Sequence, residues 1–97
     1  MKKIKTYVKI GCTPYEIPRY YYGIDKACDI LENQNTVRCS YDKELDVVIL
    51  DFQNGVHIEI KNDHYLVKYE DNTTEILSED SFYEIWDKQK NDRYYNF

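Results

Sequence analysis

The stretch from Leu45 to Lys61 constrains this chain more than any other. Val47, Val48, Ile49, Leu50 and Phe52 leave neither side of an extended segment polar. A strand that is apolar on both faces needs cover on both, so it belongs inside a sheet. Asn54-Gly55 follows directly. It is the strongest short hairpin signal available, because a type I′ turn needs positive φ at both central positions. Val56, Ile58 and Ile60 then alternate with His57, Glu59 and Lys61. The pattern predicts an antiparallel hairpin of Leu45–Gln53 and Val56–Lys61 closed at Asn54-Gly55. A two-residue loop would pair Gln53 with Val56, Asp51 with Ile58 and Leu50 with Glu59.

Other segments extend this sheet. In residues 2–11, Ile4, Thr6, Val8 and Ile10 alternate with Lys3, Lys5, Tyr7 and Lys9, the pattern of a half-buried strand. Pro14 and Pro18 mark a loop over residues 12–19. From about Pro18 to Asn33, Tyr20, Ile24, Ala27, Cys28 and Leu31 recur at helical spacing, and a first-turn proline is compatible with that. Thr36–Tyr41, His64–Tyr69 and a short segment around Glu75–Leu77 read as further strands of a meander, with turns at Asp42–Glu44, Asn62-Asp63 and Glu70–Thr73. Ser81 and Glu84 fit a capping box, and Phe82, Ile85, Trp86 and Gln89 form one helical stripe that should dock on the sheet. Residues 91–97 read as an aromatic C-terminal tail with Tyr94, Tyr95 and Phe97. The expected fold is a single α+β domain over residues 1–97, β-α-β-β-β-(β)-α, with an antiparallel β-meander and two helices covering one face.

At 97 residues there is room for one small core, not for a multidomain enzyme. No run approaches the roughly 20 apolar residues of a membrane-spanning helix. Lys5 and Lys9 interrupt the first eleven residues, so no signal-peptide core is expected and the expected location is cytoplasmic. Cys12, Cys28 and Cys39 are odd in number and widely spaced, which favours reduced, partly buried thiols over a disulfide framework. Together with His57 and His64 they lack the local spacing of a metal site. There is no Gly-rich phosphate loop and no G-x-S-x-G elbow, so no cofactor is expected.

One fragment has the order of an enzyme motif. Asp51 followed by Glu59-Ile60-Lys61 is similar to the D…ExK core of metal-dependent nucleases, in which two carboxylates and a lysine converge on Mg²⁺ and its water. The expected pairing separates them: Glu59 and Lys61 would share a face with Leu50 and Val48, and Asp51 would point the other way.

Charge placement is more informative. The chain has 13 basic and 18 acidic residues, net −5. Residues 1–19 are basic, with Lys2, Lys3, Lys5, Lys9 and Arg19 against Glu16; lysines on an outward face would guard an edge strand against aggregation. Between 70 and 87, Glu70, Asp71, Glu75, Glu79, Asp80, Glu84 and Asp87 occur with no Lys or Arg among them. Such a tract suits either a solubilising surface or a basic groove on a partner. Direct nucleic-acid binding would need clustered positive charge and is not expected. Tyrosine is the second signal, at eleven residues. Tyr20, Tyr21 and Tyr22 step about 100° apart on a helix, so at least one should be exposed, and Tyr is enriched at protein interfaces.

Short length, acidic balance, the Glu70–Asp87 tract and the tyrosines resemble small phage-encoded inhibitors of bacterial defence, such as anti-CRISPR proteins and other nuclease inhibitors. The resemblance implies a non-enzymatic protein that occupies the basic nucleic-acid groove of a larger effector as a nucleic-acid mimic. The basic first strand departs from that pattern. An immunity protein or antitoxin that neutralises a toxin would share the same acidity, and a small metal nuclease using Asp51, Glu59 and Lys61 is a third class.

Overall fold

The computed structural model describes residues 2–32 and 36–95, without the side chains of Thr36, Val37 and 92–95. Its elements are β1 (Ile4–Cys12), β2 (Tyr21–Tyr22), α1 (Ile24–Ile30), β3 (Thr36–Asp42), β4 (Val47–Phe52), β5 (His57–Lys61), β6 (His64–Tyr69), β7 (Thr74–Leu77) and α2 (Glu79–Tyr95). All strand pairs are antiparallel, and the class is α+β with two helices.

The strands form two sheets rather than one meander: β2-β1-β6-β7 and β3-β4-β5. The two-faced run lies at the centre of the second sheet, as its composition predicted. Asn62-Asp63 does turn the chain, but it carries it from one sheet to the other instead of closing a hairpin, and β6 pairs with β1. The Asn62 side chain stitches the junction by accepting the Cys12 N–H at 2.9 Å.

Alternation along β6 separates two cores. Leu66 joins Ile10, Cys12, Val48, Leu50, Phe52, Ile60 and the α1 residues Ala27, Cys28 and Ile30 in an aliphatic layer between the sheets. Tyr65, Val67 and Tyr69 point the other way and meet Ile4, Leu77 and Phe82 of α2. The helices therefore cover opposite faces of the four-stranded sheet, not one face. A strand that is apolar on both faces cannot be covered from one side only, so the split follows from Leu66 on one face of β6 and Tyr65, Val67 and Tyr69 on the other.

β1 departs from simple alternation. A bulge lies between Ile4 and Thr6, where Ile4 pairs with Tyr69 and Thr6 with Lys68. The extra residue rotates Ile4 to the α2 side, where it joins the cluster that also takes Tyr7. Ile4 thus leaves the expected face of Thr6, Val8 and Ile10, and the half-buried Tyr7 packs against the cluster that Ile4 joins. Gln89, a buried polar residue on the α2 stripe, holds this bulge: its Oε1 accepts the Ile4 N–H at 2.7 Å and its Nε2 donates to the Ile4 carbonyl at 3.0 Å.

α1 is shorter than the periodicity predicts. Tyr21 and Tyr22 pair with Cys12 and Gly11 as strand β2, so the tyrosine triplet is not helical. The helix begins after Gly23, whose φ of 80° is available to glycine at little cost. A Cβ there would also collide with the Lys9 carbonyl. α2 begins two residues before the expected cap. Ser78 is the N-cap: its Oγ accepts the Ser81 N–H at 3.2 Å, and its carbonyl accepts the Phe82 N–H at 2.9 Å. The helix then continues to Tyr95, through most of the segment read as a tail; residues 96–97 and the side chains of 92–95 lie outside the described residues.

Candidate functional site

The Asn54-Gly55 turn sets the faces on which Asp51, Glu59 and Lys61 lie. The Phe52 N–H donates to the Val56 carbonyl at 2.9 Å, and the Gly55 N–H to the Phe52 carbonyl at 3.0 Å. The loop is therefore three residues, Gln53-Asn54-Gly55, with Gly55 left-handed at φ 88°. One extra residue shifts the register by one, so Asp51 pairs with His57, Leu50 with Ile58, Ile49 with Glu59 and Val47 with Lys61. Asp51, Glu59 and Lys61 share the outward face of β4 and β5, contrary to the expected separation.

Sharing a face does not assemble the motif. The imidazole of His57 stands between the carboxylates, with Nδ1 2.6 Å from Asp51 Oδ1 and Nε2 3.5 Å from Glu59 Oε2. The Asp51 hydrogen bond, aided by Glu59, raises the His57 pKa above its ordinary value. Lys61 lies opposite Val47, four positions along β4 from Asp51. No group of three His, Cys, Asp or Glu side chains suited to a metal ion occurs among the described residues. The thiols of Cys12 and Cys28 are buried and that of Cys39 is half-buried, none of them in a disulfide. Burial pushes the Cys12 and Cys39 pKa values up, the opposite of an activated nucleophile.

All seven tract acids are exposed. Four are drawn into local contacts. Asp71 accepts from the Thr73 hydroxyl at 2.6 Å and the Thr73 N–H at 3.0 Å, and lies 3.5 Å from Lys2 Nζ, which together hold its carboxyl below the usual range. Glu75 accepts the Tyr69 hydroxyl at 2.5 Å; burial and that hydrogen bond push the Tyr69 pKa up to about 12. Glu79 lies 3.7 Å from Lys9 Nζ and Glu84 3.5 Å from Lys88 Nζ. The basic N-terminal segment thus serves the tract: Lys2, ahead of β1, and Lys9, on it, each pair with one of its acids. On α2, Asp80, Glu84 and Asp87 stand at i, i+4 and i+7. They form one stripe opposite the buried Phe82–Gln89 stripe, about 10 Å long at 1.5 Å per residue.

The tyrosine triplet divides. Tyr21 packs against the inter-sheet core. Tyr22 donates its hydroxyl to Asp63. Tyr20 is 64% exposed and borders the loop between β1 and β2, where Tyr15 is 84% and Ile17 98% exposed. Both Tyr15 and Ile17 fall in the loop that Pro14 and Pro18 mark, but Ile17, a lone apolar residue between Glu16 and Pro18, carries no periodicity that would single it out. This loop is tied at its base. The Thr13 N–H donates to the Tyr20 carbonyl and the Tyr20 N–H to Thr13 Oγ1, both at 2.9 Å. Arg19 Nη2 reaches the Pro14 carbonyl at 3.4 Å, and its guanidinium lies 5.0 Å from the Tyr41 ring centroid. Lys43 in the β3–β4 turn lies 5.6 Å from the Tyr15 ring centroid, and Leu45 in the same turn is also exposed.

β1 runs three residues past Lys9, the residue that holds Glu79 at the start of α2, before the loop leaves it at Cys12. The aromatic loop and the start of α2 therefore lie toward the same half of β1, three residues apart along the strand. No helix among the described residues is long and apolar enough to cross a membrane. No family model matches the chain, and neither a curated protein nor a solved structure matches it.

Proposed function

We propose that this protein is a non-enzymatic, protein-binding inhibitor of a nucleic-acid-handling enzyme, an anti-defence protein of the anti-CRISPR kind. The observation that carries the reading is the tied loop that holds Tyr15, Ile17 and Tyr20 in water. A fully exposed isoleucine between two exposed tyrosines is apolar surface that folding leaves uncovered, and stiff aromatic side chains bind at small entropic cost. The Asp80, Glu84 and Asp87 stripe supplies the sign of the partner: a larger protein with a basic nucleic-acid groove, approached by charge attraction and held by the aromatic loop. The chain itself binds no nucleic acid in this reading and acts in the cytoplasm of the cell that contains its target.

The test is capture from a host lysate, followed by competition. The captured protein should be a nucleic-acid enzyme, and its own nucleic acid should displace the inhibitor. A captured toxin with no nucleic-acid groove would favour the immunity-protein reading instead. The nuclease reading keeps one observation in its favour, the shared face of Asp51, Glu59 and Lys61. Its check is Mg²⁺-dependent cleavage that Asp51→Ala abolishes.

A further inference from the structure

The β1 bulge has a second consequence on the face away from α2. Lys5 and Thr6 are successive residues, yet both line one cavity of about 230 Å³ between the sheet and α1, together with Lys26, Asp29, Ile30 and Lys68. In a regular strand, neighbours point to opposite faces. The bulge that turns Ile4 toward α2 aims both Lys5 and Thr6 at the cavity, and a buried glutamine is committed to holding it. Bulges that re-aim side chains are over-represented beside functional sites.

The lining is unusual for an acidic protein. Three of its ten lysines line it; Asp29 in the lining and Glu32, which pairs with Lys68, oppose an anion, so the balance is positive by one charge. Lys68, the cross-strand partner of Thr6, is pinned with only 12% of its side chain exposed. Its Nζ donates to the Ile30 carbonyl at 3.4 Å and to Glu32 Oε1 at 3.1 Å, so one of its three donors has no partner among the described residues. Lys26 is restrained by the Tyr7 ring, 5.5 Å from its centroid, and Lys5 has no counter-ion among the described residues. Thr6 adds a hydroxyl, and Ile30 provides an apolar wall.

We infer that this cavity is a binding site for a phosphate-sized oxyanion, held by Lys5, Lys26 and Lys68 with Thr6 as a neutral donor. The volume lies below the range of about 300–1,000 Å³ that holds drug-sized ligands, which limits the occupant to one small anion or to the phosphate end of a larger molecule. Lysine ammonium groups recognise such groups as point charges, without demanding planar geometry.

The experiment is a titration of the whole protein, followed by the amide resonances of Thr6, Lys26 and Lys68. Inorganic phosphate is one arm and a nucleoside monophosphate the other, at ionic strength matched with sodium chloride. Saturable shifts with phosphate establish a free-oxyanion site; saturation only with the monophosphate establishes recognition of a phosphate end. Lys5→Gln with Lys26→Gln, both exposed and outside the packed core, should weaken binding about tenfold while leaving the urea midpoint unchanged. Lys90→Gln on α2 serves as a charge control and should bind as the parent does. The proposal is overturned if neither ligand saturates, or if the double variant and the control titrate alike.

Discussion

Tyr65 stacks on Phe82 with ring centroids 4.1 Å apart and 6% of its surface exposed, whereas Tyr15 stands 84% exposed on the loop after β1. The two residues belong to one sheet system but obey different rules. On β6 the strand period puts Tyr65, Val67 and Tyr69 on one face, and the α2 stripe covers that face. Tyr7, Phe82 and Trp86 complete an aromatic layer there, with Tyr7 centroids 4.7 and 5.1 Å from the other two. In the loop, backbone hydrogen bonds from Thr13 and Tyr20 fix the chain without any periodic face, so Tyr15 and Ile17 remain outside. Aromatic residues in this chain hold the fold where a register delivers them, and stay exposed where only a loop does.

Substitutions should separate the two regions, and the largest effect belongs to the buried layer. Phe82→Ala is expected to cost about 3–5 kcal/mol, measured from urea midpoints, because Phe82 is 1% exposed and touches Tyr7, Tyr65 and Trp86. Trp86→Ala should cost less, since Trp86 is only half-buried at the margin of the layer. An equal or larger loss at Trp86 would move the anchor of α2. Gln89→Leu comes next, at about 1–3 kcal/mol, by stranding the Ile4 N–H and carbonyl at the bulge. If its midpoint matches the parent, the bulge holds itself.

The exposed side should respond in binding and not in stability. Asp80→Asn, Glu84→Gln and Asp87→Asn together should shift stability by no more than about 0.5 kcal/mol. Partner affinity should fall, and its dependence on salt should flatten, because exposed charges are screened over about 8–10 Å. Equal affinities and equal salt slopes would reduce the stripe to a solubility surface. The smallest effect concerns His57. Its pKa is raised by Asp51, so the protonated pair stabilises the fold below the ordinary imidazole value of about 6.5. That contribution fades as pH rises through the higher folded value. The urea-midpoint difference between the parent and His57→Gln should therefore be greatest in acid and shrink in alkali; a difference independent of pH would remove the ion pair from the account.

Much of the framework was legible because it rests on period. The β5 alternation and the Phe82–Gln89 stripe each repeat a spacing that one element satisfies, and the two-faced β4 run is short, β-branched and followed by Asn54-Gly55. What escaped turns on single residues. The Asn54-Gly55 signal predicted a hairpin correctly but not the third loop residue, Gln53, and that one residue moved Asp51 onto the face of Glu59. Lys5 in the β1 bulge sent Ile4 to the α2 side, where Tyr7 already lay by alternation, although the sequence alternates without a break there. Tyr20, Ile24, Ala27 and Leu31 have helical spacing, but positive φ at Gly23 and pairing of Tyr21-Tyr22 with β1 hold the helix to its second half. Among the surface features, the acids were visible as a tract, while their alignment on α2 depended on where that helix begins, and the exposure of Ile17 depended on the loop's tertiary ties.

The central claim is that the fold is held by the aromatic layer under α2 and recognition by the loop after β1. Its most direct test is one variant read two ways: Tyr15→Ser, Ile17→Ser and Tyr20→Ser together, assayed for urea midpoint and for affinity to the captured partner. The account predicts a midpoint within about 0.5 kcal/mol of the parent, as for exposed positions, and a loss of binding of at least about a hundredfold, the size of an interface hot spot. A lowered midpoint, or a variant that binds as tightly as the parent, would contradict it.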